Sequence, residues 1–135
     1  YNANGIGLAA IQIGIPKRIV IVDVTKEDEK KRLHCLINPK IKKFSDDRSS
    51  YEEGCLSIPN LFAEVKRPSE CEVQYLDYKG EKKILKATGL LATCIQHEID
   101  HLKGILFIDY LSKLKRDIIL KKLSKQKIEQ KRLVI

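Results

Sequence analysis

The chain has 135 residues, enough for one domain with a real core, and no apolar run in it is long enough to span a bilayer. Its 26 Lys and Arg against 18 acidic residues give a net charge of +8, and the expectation is a chain without a secretory leader. Cys35, Cys55, Cys71 and Cys94 show no CxxC pairing, which argues against a disulfide scaffold and for reduced thiols to be explained singly. There is no methionine, and the chain opens on YNANGIGLAA without an initiator, so the expectation is a fragment whose natural N-terminus lies upstream.

After Pro16, KRIVIVDV (17–24) is a β-branched run that predicts a strand. LHCLINP and KIKKFSD predict two short strands broken at Asn38-Pro39. In YEEGCLSIP (51–59) a glycine before Cys55 and a proline soon after predict a bend entering an extended stretch, where glycine lets another backbone approach. FAEVKRP and CEVQYLD alternate, and YKGE supplies a glycine turn into KKILKA, a hairpin by pattern and by turn chemistry. From Thr88, a candidate N-cap, GLLATCIQHEIDHLK carries apolar residues at 91, 95, 99 and 102, a helical period that Gly104 can close with a left-handed cap. The last stretch, 112–135, holds nine Lys and Arg against Asp117 and Glu129, with Leu114, Ile118 and Ile119 at helical spacing. Its bland reading is a solvated helix docking an apolar side on the body, and its functional reading adds an acidic partner. The fold class expected is α+β, short antiparallel strands around a central HExxH-bearing helix plus a C-terminal helix, in a single catalytic domain over 1–135.

QHEIDHL (96–102) carries the chemistry. At 3.6 residues per turn, His97 and His101 share one helix face and can reach one ion, with Glu98 beside it to take a proton from a water. Two imidazoles need at least one more protein ligand. The extended HExxHxxGxxH pattern fails, because Gly104 is present but Phe107 stands at the third histidine position. Glu129, the only glutamate available downstream, sits in a lysine-rich tail. Cys94 is seven residues from His101, roughly 10 Å along the axis, too far for one ion to serve both, and reads as a small apolar residue of the pocket floor. His34 reads as a surface or hydrogen-bonded residue. Cys55 alone is more often a buried thiol than a ligand, but beside HExxH the balance tips to ligation.

GIGLAAIQ (5–12), EGCLS (53–57) and QHEIDH (96–101), in this order, resemble the three signature motifs of the peptide deformylases. The resemblance covers essentially the whole chain, except that family members carry a further segment, including a helix, ahead of the glycine motif. It implies a metal held by Cys55, His97 and His101, with Glu98 as the proton-transferring carboxylate. It further implies oxyanion donors in the Gln12 amide and the Leu56 N–H. Ile6, Leu90 and Cys94 would line the methionine pocket, and Gly7 and Gly54 would flank the extended substrate backbone. Thr93 and Phe62 depart from the pattern, standing where an aliphatic residue and an arginine are usual. The implied reaction is removal of the formyl group from N-formyl-methionyl nascent peptides, releasing formate. The implied ion is divalent, iron(II) favoured and zinc, nickel or cobalt allowed. The implied partner is the ribosome, reached through the basic C-terminal helix, in the bacterial cytoplasm or an organelle, with no membrane role. The rival readings are an HExxH zinc peptidase, an inactive truncated relative, a nucleic-acid-binding module and a structural metal domain.

Overall fold

The computed structural model describes residues 7–15, 17–26, 30–55 and 57–133, the last five of these as backbone only. Among these residues, seven strands and two α-helices form two packed units. A five-stranded antiparallel sheet runs in the order β1 (Gly7–Ala9), β2 (Ile19–Val22), β3 (His34–Phe44), β6 (Glu70–Leu76), β7 (Lys82–Thr88). A separate antiparallel pair is made by β4 (Arg48–Cys55) and β5 (Ile58–Pro68). The α+β class with antiparallel strands is thus observed.

Alternation explains the large sheet. Val20, Val22, Leu36, Val73 and Ala87 point to one side and are buried there. Against that side lies α1 (Gly89–Leu102), which contributes Ala92, Ile95 and Ile99 to the same core. Thr88 does occupy the N-cap position, in extended conformation, but its side chain makes no capping bond. Gly104 takes φ +75, and its N–H reaches the His101 carbonyl at 3.1 Å, the left-handed ending expected of it.

Three strand boundaries differ from the sequence reading. The two strands expected around Asn38-Pro39 are one strand of 11 residues, because the pair is absorbed as an irregularity: Asn38 takes φ +49, and the register against β6 shifts between Ile37 and Lys40. The strand after Pro16 is confined to Ile19–Val22. The stretch before Cys55, expected as a bend, is a full strand, β4, whose register slips only between Gly54 and Cys55. The hairpin through Gly80 (φ +81) is as expected, pairing β6 and β7 from Glu70↔Thr88 to Leu76↔Lys82.

A second core joins β5 to the C-terminal region: Ile58, Leu61 and Val65 pack with Phe107, Ile108 and Ile119. Ile119 belongs to α2 (Lys113–Leu133), which docks through it and the partly buried Leu123. Of the apolar side expected on this helix, Leu114 and Ile118 instead face solvent, 72% and 45% exposed. Among the described residues, no helix is long and apolar enough to cross a membrane.

Candidate metal centre

The helical spacing of His97 and His101 works as the sequence implies: both rings project from one face of α1, and their Nε2 atoms lie 3.1 Å apart. Cys55 arrives from β4, where the register slip turns its sulfur toward them, 3.2 Å from His101 Nε2. The three donor atoms all lie within 4.8 Å of one another, the spacing one ion with bonds of about 2.0–2.3 Å requires. One thiolate and two imidazoles suit a first-row divalent ion. Cys94 is not in this cluster.

Electrostatics act strongly on Cys55 and His97. Burial pushes the Cys55 thiol up, but hydrogen bonds from His101, His97 and the Ser57 N–H outweigh it and bring it down to about 5, so the sulfur is a thiolate at neutral pH. Burial pushes His97 down, yet its hydrogen bonds to Cys55 and Glu53 and the charges of Glu98 and Glu53 lift it to about 9. Burial pushes the Cys94 thiol up, with the Glu98 and Glu53 charges adding to it, to about 12, in keeping with an inert, apolar role.

Glu98 is 5% exposed, and its Oε2 has no hydrogen-bond partner among the described residues. Burial raises its carboxyl to about 7 against the lowering charges of His97 and His101. A buried carboxylate oxygen left without a donor is costly, and Glu98 lines the same cavity as Cys55 and His97, as a proton acceptor must. Gly7 makes room for it: a Cβ there would sit 2.8 Å from Glu98 Oε1. Gln12, in a short 3-10 helix (Ala10–Ile13), accepts the Ala9 N–H at 2.9 Å through Oε1. Its amide nitrogen thereby points at Cys55 Sγ and Ser57 Oγ, each 3.2 Å away.

Cys55, His97, Glu98, Gly7 and Gln12 line a cavity of about 420 Å³, which Leu90, Cys94 and Gly54 also border. Gly54 has a steric role that the sequence does not reveal, since a Cβ would meet the Phe62 ring at 2.4 Å. Phe62 itself stands 61% exposed at the cavity mouth, and Thr93 lies buried on the helix wall. Ile6 and Leu56, expected in the pocket and the oxyanion site, lie outside the described residues. Phe107, which occupies the missing third-histidine position, is a core ring stacked near His97 with centroids 6.2 Å apart.

Sequence reasoning missed the groups behind the ligands. Glu53 accepts a hydrogen bond from His97 Nδ1 at 2.9 Å and is gripped by Arg67, whose Nε and Nη2 donate to its two oxygens at 2.8 and 3.0 Å. Opposed by burial, these bonds from His97 and Arg67 still hold the Glu53 carboxyl below its usual range. No local signal marks Glu53 or Arg67, since charged side chains are read as solvent-facing.

A site that can hold an ion and keep a buried carboxylate beside it belongs to the class of metal-assisted hydrolases. A family model described as Polypeptide deformylase matches residues 1–117, and the chain belongs to that family. A peptide deformylase of Pelagibacter ubique (strain HTCC1062) is 62% identical over 135 residues, 100% of this chain and 77% of that protein. One of Rhizobium meliloti (strain 1021) is 59% identical over 125 residues, 93% of this chain and 72% of that protein. The crystal structure of peptide deformylase from Ehrlichia chaffeensis matches with a TM-score of 0.86 at 46% identity, covering 93% of this chain and 75% of that one.

Proposed function

We propose that this chain is a peptide deformylase that removes the N-formyl group of formyl-methionyl nascent polypeptides and releases formate, its 135 residues acting as one catalytic unit. The observation that carries the reading is a buried carboxylate, Glu98, with one oxygen unpartnered among the described residues, lining one cavity with Cys55 and His97, which cluster with His101. Those three residues would hold a divalent ion. When bound, the ion supplies a Lewis acid and a water of lowered pKa. The chain's own groups do the rest. Glu98 accepts the proton of the attacking water and delivers it to the leaving nitrogen. Gln12 Nε2 donates to the oxyanion as it forms, with the Leu56 N–H as the second donor that family resemblance implies. Leu90 and Cys94 offer the methionine side chain an apolar wall, with Ile6 the further member implied by the same resemblance, and Gly7 and Gly54 flank the extended backbone.

Family resemblance favours iron(II), in which case activity decays in air as metal and thiolate oxidise; zinc, nickel and cobalt suit the same donors. The expected location is the bacterial cytoplasm. The test is one anaerobic sample of a formyl-methionine peptide and its unformylated twin, followed for formate and for chain cleavage together. Formate without cleavage supports deformylation, and cleavage without formate would make the chain a peptidase. The basic α2 is proposed to meet ribosomal RNA through counterion release. Deleting residues 120–135 is expected to reduce ribosome co-sedimentation at low salt and to leave turnover of a short peptide nearly intact. Unchanged co-sedimentation would leave α2 a scaffold.

A further inference from the structure

His97 can offer its Nε2 lone pair to a metal only if the ring proton sits on Nδ1 and the ring is held in orientation. Its Nδ1 faces Glu53 Oε1 at 2.9 Å, and both atoms are buried. A carboxylate on a β-strand does not hold that position by itself, since Glu53 has rotatable bonds to choose from. Arg67 removes the choice by occupying both oxygens with a fork at 2.8 and 3.0 Å. The third side of the guanidinium is used as well. Nη1 donates to Asp100 Oδ2 at 2.7 Å, on the helix that carries His97. Tyr110 donates its hydroxyl to the same Oδ2 at 2.7 Å, and its ring lies under the guanidinium carbon at 4.7 Å. One arginine therefore ties β4, β5 and α1 to a tyrosine that is 49% exposed.

We propose that Arg67 is a positioning residue for the metal-binding imidazole of His97, acting through Glu53 and anchored by Asp100 and Tyr110. This rests on the reading of Cys55, His97 and His101 as ligands. Its geometry separates it from a merely stabilising ion pair: buried pairs are weak evidence for stability, whereas partners of a metal-binding histidine typically change metal affinity or activity about 10–100-fold when removed. Lysine could supply the charge but not the fork.

The experiment compares the full chain with its Arg67→Lys, Arg67→Met, Glu53→Gln and Tyr110→Phe variants. Each is scored for Co(II) affinity by chelator competition, for the absorption spectrum of the cobalt form, and for thermal midpoint. Arg67→Lys and Arg67→Met are expected to bind cobalt about 10–100-fold more weakly and to shift the ligand-field bands. Glu53→Gln keeps an acceptor for the Nδ1 proton and is expected to fall between them and the parent. Tyr110→Phe loses one hydroxyl at a half-exposed position, so it folds even where the Arg67 variants do not, and a spectral shift in it supports the anchor. Unchanged affinity and spectrum in folded variants with a lowered midpoint would make the arginine a structural brace and overturn the proposal. Cys55→Ser is the control: if it too leaves cobalt binding untouched, the ligand reading fails and takes the Arg67 proposal with it, whereas weakened binding in Cys55→Ser beside unchanged Arg67 variants overturns the Arg67 proposal alone.

Discussion

Gly7 and Glu98 are 91 positions apart in the chain, yet the carboxylate fits only because the glycine has no side chain. Replacing Glu98 by alanine removes the proton acceptor without touching a ligand. Turnover is expected to fall by about 10²-fold or more while bound metal per chain stays at the parent level; metal lost in step with activity would make Glu98 a ligand. Gln12→Ala is expected to lower kcat by about 10²–10³ at unchanged metal content, as for one lost oxyanion donor. A change confined to KM would assign the amide to substrate positioning. His97, His101 and Glu98 were legible because a helix converts sequence spacing directly into a shared face. Cys55 needed the three-dimensional register, since it lies 42 residues before His97 on another element. Arg67 and Glu53 were illegible for a general reason: charged residues are read as solvent-facing, and nothing in EEGC or VKRP says that these two turn inward to satisfy each other.

The elements show where local pattern is sufficient. β2, the β6–β7 hairpin and α1 follow from alternation, glycine turns and the helical period, because each buries one face against the main core. β4 does not, since RSSYEEGC has few β-branched or aromatic residues and pairs with β5 through register rather than propensity. α2 was expected to dock by Leu114, Ile118 and Ile119, but a helix that crosses the body at a single point buries only what lies under the crossing. Ile119 is at that point, 7% exposed. Ile119→Ala is therefore expected to cost about 2 kcal/mol or more in denaturant unfolding, and Leu114→Ala to stay within about 0.5 kcal/mol. Equal costs would mean that the helix lies differently on the body.

At the scale of the whole molecule, the two hydrophobic cores are separate clusters. α1 with the large sheet makes one, and β5, the segment after α1 and α2 make the other. The candidate ligands straddle that division. His97 and His101 stand on the helix of the first core, while Cys55 is a partly buried member of the second. A bound ion is therefore also a cross-link, closing a loop from Cys55 to His97 that no disulfide spans. Without the ion, the β4–β5 hairpin is held to α1 by the Arg67 contacts, by the His97–Glu53 and Gln96–Pro68 bonds and by packing, and it is expected to be the first part to open. Amide hydrogen exchange in the metal-free chain is expected to be faster at backbone positions of β4 and β5 than at the protected centres of β3 and β6, and to slow at both on metal addition, because either opening releases the ion. Equal exchange at both in the metal-free chain would mean that the two cores already unfold as one. The same ion that serves the reaction would then set how the halves of the molecule share their stability, and a cell short of metal would hold a chain whose smaller sheet breathes.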